Sequence, residues 1–254
     1  MNSILCIIPA RGGSKGIPRK NLLRIGGKPL VAHSIIQAKA APSVTRVVVS
    51  TDDAEIATIA RDYGAEVVPR PDEISGDKAS SESALLHTLD YLRSQLPTPV
   101  SPTPVRPTPN SQLPQDPDLV VFLQATSPCR APGEIQQAIE TLIKEQADSL
   151  LSVGPVHGFV WRVEKNGASR SFSYDHLNRP RRQDAPEDLI ENGSIYVFKP
   201  WVLRKLNNRL GGKIALHRMS ALDSFQIDEP GDFELLELIM RHRGVIAPGA
   251  TPIP

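Results

Sequence analysis

Apolar residues in this chain cluster in short runs, with longer stretches of helical spacing between them. Residues 4–8 (Ile-Leu-Cys-Ile-Ile) and 119–123 (Leu-Val-Val-Phe-Leu) are apolar throughout, as in strands buried on both faces. Residues 46–50, 65–69 and 149–153 read as further strands. Helical spacing covers residues 29–40, with Pro29 suited to the first turn. A second helix opens at Thr51-Asp52-Asp53 and stops at Gly64; Asp52 with Glu55 three residues on resembles a capping box. Acidic residues after a strand also suit a metal, but capping is the first reading for Asp52 and Asp53. Two more helices are expected at residues 83–96 and 133–146. Strands alternating with helices predict an α/β fold, a mostly parallel sheet with crossover helices.

Two regions break this rhythm. Residues 97–117 hold eight of the 24 prolines and repeat with a period of five. Such a segment favours extended or disordered chain, so it reads as a surface insertion within the domain and not as a domain boundary. Residues 154–191 read as a small protruding subdomain. Residues 160–163 alternate like a hairpin strand, Asn166-Gly167 is a turn signal, and Arg179 to Asp184 is strongly basic. After Asn192-Gly193 the chain returns to the sheet at residues 194–198, with one more strand at 213–219. Residues 224–228 lead to a last helix that Pro230 starts and Gly244 ends. The main domain therefore spans residues 1–246, and 247–254 form a disordered tail.

The overall charge is only +1, but it is unevenly placed. Residues 1–51 contain no Asp or Glu and eight Lys/Arg, which points to an anionic ligand at the N-terminal end. Aromatics at 5% argue against a base-stacking nucleic-acid platform. The first apolar run is too short to span a membrane, and its basic residues follow it instead of preceding it, unlike a signal peptide. The two cysteines, Cys6 and Cys129, form no disulfide or metal framework. A soluble cytoplasmic protein is expected, without nucleic acid or membrane as partner.

The basic residues concentrate in the loop after the first strand, where Gly12, Gly13 and Gly16 alternate with Arg11, Lys15, Arg19 and Lys20. A buried strand followed by a Gly-rich cationic loop brings backbone N–H groups and charge to a phosphate. It is neither a P-loop nor a dinucleotide fingerprint: Gly26-Gly27-Lys28 is followed by Pro29, and Gly12 and Gly13 are adjacent. A plain surface turn with solvated cations is the alternative reading.

Residues 9–21, Pro-Ala-Arg-Gly-Gly-Ser-Lys-Gly-Ile-Pro-Arg-Lys-Asn, resemble the N-terminal signature of the N-acylneuraminate cytidylyltransferases, the CMP-sialic acid synthetases. The resemblance extends to Leu123-Gln124-Ala125-Thr126-Ser127-Pro128, where Ala125 replaces a family proline, and to residues 179–184 followed by Glu191-Asn192-Gly193-Ser194. It implies a three-layer α/β/α nucleotidyltransferase, Rossmann-like, with a small inserted dimerisation arm and hence a homodimer. The implied reaction transfers CMP from CTP to the anomeric hydroxyl of an acidic nine-carbon (nonulosonic) sugar.

By the same resemblance, Arg11, Gly12, Gly13, Ser14, Lys15, Lys20, Asn21, Arg70, Ala79 and Ser81 bind CTP. Gln124, Ser127, Arg181, Arg182, Gln183 and Asn192 bind the sugar acid. The Arg pair suits a carboxylate because guanidinium clamps it with parallel bonds. Arg11, Lys20 and Asp228 are the implied catalytic residues, and Asp228 the ligand of Mg²⁺ or Mn²⁺. Residues 70–83 could also be only an N-cap segment, and Asp228 could cap the following helix. The family's pair of carboxylates is here Gln226 and Asp228. Leu189 and Ile190 stand near a position where some relatives carry arginine, which suits a modified nonulosonic acid such as legionaminic acid. No general base is identified among the six histidines. The alternatives are a cytidylyltransferase for Kdo or another acid sugar, and a non-catalytic nucleotide-binding scaffold.

Overall fold

The computed structural model describes residues 3–14, 16–95, 116–156, 158–185 and 187–244. The chain opens with β1 (Ile4–Pro9), a 3-10 turn at Lys20–Leu22, the hairpin strands β2 (Arg24–Ile25) and β3 (Lys28–Pro29), and α1 (Leu30–Lys39). Next come β4 (Arg46–Thr51), α2 (Ala54–Asp62), β5 (Glu66–Pro69), α3 (Ser81–Ser94) and β6 (Leu119–Leu123). Then follow α4 (Glu134–Lys144), β7 (Ser149–Pro155), β8 (Trp161–Val163), β9 (Ser169–Ser171) and β10 (Leu189–Phe198). α5 (Pro200–Leu206), β11 (Ile214–Arg218) and α6 (Asp232–His242) complete the order.

Seven strands make one sheet, ordered β11-β7-β10-β6-β1-β4-β5. Every neighbouring pair is parallel except those of β10, which runs against both β6 and β7. The apolar runs of β1 and β6 are buried because helices cover both faces. On one face α1, α2 and α4 pack through Val31, Ile35, Ile56, Ile135 and Ile139. On the other, α3 and α5 pack through Leu85, Leu89 and Leu203. This is the expected three-layer α/β/α arrangement with a mostly parallel sheet. A third apolar cluster joins Ile17, Ile25, Leu30, Cys129, Ile227 and Leu236. It ties the segments that follow β1 and β6 to α6, and so fixes the loops at the carboxyl ends of the central strands.

Several local expectations change. The cap of α2 is Asp53, whose carboxylate accepts from the N–H groups of Glu55 and Ile56 at 2.9 and 3.0 Å. Asp52 instead turns towards the glycine-rich loop after β1, where it accepts from Gly12 N–H at 3.0 Å. α3 starts at Ser81, two residues before the expected 83, because the Ser80 hydroxyl accepts from Ser83 N–H at 3.1 Å. The last helix starts at Asp232, not 230, and Asp228 does not cap it. The Asp232 carboxylate accepts from Asp228 and Glu229 N–H at 2.7 and 2.8 Å. Asn192-Gly193 lies within β10, where the register shifts between Glu191 and Tyr196 and Gly193 takes φ 63°. The β2–β3 hairpin and α5 had no expectation. Each is too short for its periodicity to show.

β8 and β9 form the hairpin of the inserted arm, with Gly167 at φ 83° in its turn. Trp161, Val163, Phe172 and Leu177 stand exposed there. The proline-rich stretch falls outside the described residues except for Asp116 and Pro117, and so does the tail. Both cysteines are buried and unpaired, and burial pushes each thiol up to about 12, so neither is a nucleophile at neutral pH. Among the described residues, no helix is long and apolar enough to cross a membrane.

Candidate active site

β1 delivers its loop to the carboxyl end of the sheet and β4 holds it there. Ala10 N–H donates to Ser50 O at 2.9 Å, and Gly12 N–H to the Asp52 carboxylate at 3.0 Å. Gly12 has to be glycine, because a Cβ there would lie 2.6 Å from Asp53 Oδ2 and 2.9 Å from its Cβ. The Asn21 amide donates back to Arg11 O at 3.0 Å, closing the loop on itself. Arg19 adopts left-handed φ 53° and turns away, pairing with Glu55 at 2.7 Å and Asp53 at 3.5 Å. That cation belongs to the end of α2, not to the site. Lys15 lies outside the described residues.

The loop opens on a cavity of about 310 Å³, within the range of small-ligand pockets. Arg11, Gly13, Ser14, Lys20, Asn21, Arg70, Ala79, Ser81 and Gln124 all line it. These nine expected residues come from four separate segments, which the fold brings to one place. Gly76, Ser80, Ala84, Phe122 and Thr126 line it as well. Gly12 supports the loop from behind.

Among the described residues, three cations line this cavity. Arg11 pairs with Asp77 at 3.1 Å across its mouth. Lys20, nearly buried, donates to Ile227 O at 2.6 Å and stands 3.7 Å from the exposed Asp228 carboxylate. Arg70 is buried, with its guanidinium on Ser50 Oγ at 3.2 Å and Ser50 O at 2.5 Å. Burial draws its pKa down; nearby Asp52 works against this and Arg11 adds to it. Among the described residues, no group of three or more His, Cys, Asp or Glu side chains is arranged to hold a metal ion. The carboxylate beside Lys20 in this corner is that of Asp228, at 3.7 Å from the ammonium.

The expected acceptor residues are split. Gln124 lines the cavity. Ser127 is fully buried and its hydroxyl has no hydrogen-bond partner among the described residues. The Asn192 side chain does not reach the cavity. Its amide oxygen accepts from Ser152 Oγ at 2.5 Å and Ser194 N–H at 3.1 Å, and its nitrogen donates to Ser224 Oγ at 2.8 Å. Asn192 therefore pins the β10 bulge to the segment after β11. Arg181, Arg182 and Gln183 ride on the arm, away from this cavity. Arg181 pairs with Asp184 at 2.6 Å, and Arg182 lines a separate hollow of about 230 Å³ beside Phe159.

Two further arginines shape the site. Arg130 is buried and completely bonded. It donates to Gln124 O at 2.8 Å, Ser194 O at 2.7 Å, Ser34 Oγ at 3.1 Å and Gln37 Oε1 at 3.0 Å. Burial lowers its pKa to about 10. Arg209 pairs with Glu82 at 3.1 Å and lies 4.5 Å over the Tyr196 ring and 5.4 Å over that of Phe122. Burial and the bond to Glu191 push the Tyr196 phenol well above its ordinary value, so it stays protonated. No local pattern marks either arginine. Their partners are scattered, with Ser194 64 residues from Arg130 and Glu82 127 residues from Arg209.

Comparison with known proteins agrees with this geometry. A family model described as cytidylyltransferase matches residues 5–94, the span of the glycine-rich loop, Arg70 and α3. The N-acylneuraminate cytidylyltransferase of Oncorhynchus mykiss is 34% identical over 237 residues, 92% of this chain and 49% of that protein. The chain thus spans about half the length of that vertebrate relative. The CMP-N,N'-diacetyllegionaminic acid synthase of Legionella pneumophila is 38% identical over 247 residues, 93% of this chain and 96% of that protein. In fold, the chain is similar to a CMP:2-keto-3-deoxy-manno-octonic acid synthetase solved with CTP. The TM-score is 0.68 at 18% identity, covering 95% of this chain and all of the other. Both the fold and the sequence match an α/β nucleotidyltransferase, and the chain belongs to the N-acylneuraminate cytidylyltransferase family.

Proposed function

We propose that this protein transfers CMP from CTP to the anomeric hydroxyl of a nonulosonic acid, releasing pyrophosphate. The observation that carries this reading is the convergence of Arg11, Lys20 and Arg70 with Gln124 in one cavity at the carboxyl end of the central strands. The hydroxyl oxygen bonds to the α-phosphorus, the bond from that phosphorus to the bridging oxygen breaks, and pyrophosphate leaves with the electron pair. The hydroxyl proton is released. Arg11 and Lys20 stabilise the charge that grows on the leaving group, and the loop N–H groups of Gly13 and Ser14 hold the triphosphate. Arg70, Ala79 and Ser81 frame the nucleoside, and Asn21 fixes the loop through Arg11 O. Gln124 orients the sugar.

Mg²⁺ suits the residues present. One exposed carboxylate, Asp228, beside the phosphate-side Lys20 fits an ion held mainly by substrate oxygens and water. When bound, such an ion neutralises phosphate charge. Arg181, Arg182 and Gln183 do not reach the cavity of their own chain, so a role at the sugar carboxylate requires a second copy. The exposed Trp161, Val163, Phe172 and Leu177 on the same arm suit a homodimer contact. The unpaired buried cysteines suit a reducing cytoplasm.

The test is to incubate the protein with CTP, Mg²⁺ and a panel of nonulosonic acids plus Kdo, and to measure pyrophosphate and CMP-sugar. Product with a nonulosonic acid is expected. Pyrophosphate with none of them would overturn the proposal, and turnover with Kdo alone would move the enzyme to eight-carbon acids.

A further inference from the structure

We propose that Gln226 is a specificity-determining residue of the acceptor side, where its carboxamide works beside that of Gln124 on the neutral hydroxyl or N-acyl groups of the sugar. This rests on the function proposed above. Position 226 carries an amide where the resemblance implies the second of two carboxylates, which leaves it for another role.

The segment carrying Gln226 is held firmly. Ile227 is fully buried, its N–H donates to Thr126 O at 2.9 Å, and its carbonyl accepts from Lys20 at 2.6 Å. With Ile227 fixed, its two neighbours take separate directions. Asp228 carries its carboxylate outward beside Lys20. Gln226 instead turns towards the β10 bulge. A Cβ on Gly193 would lie 2.7 Å from Gln226 Nε2 and 3.3 Å from Gln124 Nε2. Both amide nitrogens therefore converge on one point, above a residue that has no side chain and sits at φ 63°. Gly193 is what leaves room for them.

Among the described residues, neither amide is spent on a strong hydrogen bond. Gln124 accepts only a 3.5 Å contact from Thr126 Oγ1, and Gln226 has no hydrogen-bond partner among the described residues. Both are partly buried. Two adjacent primary amides offer donors and acceptors without charge. That chemistry matches polyhydroxyl or N-acyl groups, which also both donate and accept. It matches a metal ion poorly, because hard cations favour charged oxygens. A carboxylate at 226 would add negative charge next to an acidic acceptor and a triphosphate. The amide avoids that repulsion and keeps the hydrogen bonds.

The test compares wild type with Gln226→Ala and Gln226→Asn, the second keeping the amide but withdrawing it by one methylene. Each is assayed for sugar-acid KM, CTP KM, kcat, the Mg²⁺ midpoint and Tm. Gln226→Ala should raise sugar KM about tenfold, the loss of one or two neutral hydrogen bonds. CTP KM, Mg²⁺ midpoint and Tm should stay within about twofold or a few degrees, and Gln226→Asn should fall between the two. A shifted Mg²⁺ midpoint or CTP KM with sugar KM unchanged would place Gln226 on the metal side and overturn the inference, as would no change at all. A wild type that turns over no sugar acid would overturn the proposed function itself, a distinct outcome.

Discussion

Arg130→Met removes the group that holds the acceptor edge together. The guanidinium bridges Gln124 O at the end of β6 and Ser194 O just past the β10 bulge, at 2.8 and 2.7 Å. It also orders Ser34 and Gln37 of α1. Methionine fills much of the volume but donates nothing. Each buried carbonyl that loses a charge-assisted bond costs about 1.5–3 kcal/mol. Part of this is offset, because no carboxylate bonds Arg130 among the described residues and its burial carries a desolvation penalty of several kcal/mol. A net loss of about 2–4 kcal/mol follows, or roughly 5–15 °C in Tm for a chain of this length. Gln124 would shift with its carbonyl, and misplacement on the order of 1 Å costs up to about 100-fold in rate. Thermal unfolding and steady-state kinetics measure both effects. Arg130→Lys should behave more like Met than like wild type, since an ammonium cannot span the fork of acceptors. A Tm within 2 °C or so of wild type with sugar KM unchanged would refute the bridging role.

Three further outcomes are expected. Arg11→Ala should lower kcat by about 100-fold or more at saturating sugar, because a group that stabilises leaving-group charge is gone; unchanged turnover would contradict that. Gly12→Ala should raise CTP KM and cost about 1–3 kcal/mol in unfolding free energy, since the new Cβ would sit 2.6 Å from Asp53 Oδ2; wild-type stability and KM would show that the loop yields freely. Asp232 has its pKa lowered by the N–H groups of Glu229 and Asp228, so its contribution is complete above the ordinary carboxylate value of about 4 and lost as pH falls through its own lower value. Asp232→Asn should flatten the acid limb of the stability–pH curve, and an unchanged limb would contradict that.

The sequence exposed those parts of the site that are local. The cationic glycine loop that lines the cavity was legible because strand, glycines and cations are contiguous. Gln124 was legible because it ends an unbroken apolar strand. Both Asp52 and Asp53 read as caps because neighbouring carboxylates give the same pattern; only Asp53 meets the helix end, while Asp52 accepts from Gly12 N–H. Asn192 reads as a site residue from its motif, yet its amide is consumed by Ser152, Ser194 and Ser224. Arg130 and Arg209 show the opposite limit. Gln124 lies six residues from Arg130, but the other partners of Arg130 and those of Arg209 come from distant segments, so no short window shows what either arginine does. Arg181 and Arg182 show a third limit, since a group on an exposed arm acquires its role from whatever packs against that arm.

The most direct test of the central claim follows the reacting atoms. A nonulosonic acid carrying ¹⁸O in its anomeric hydroxyl is incubated with CTP, Mg²⁺ and the protein, and the products are read by ³¹P NMR. Attack by that hydroxyl on the α-phosphorus predicts a CMP-sugar whose phosphorus signal shows the isotope shift, with unlabelled pyrophosphate. A CMP-sugar without the shift, or no CMP-sugar at all, would contradict the account.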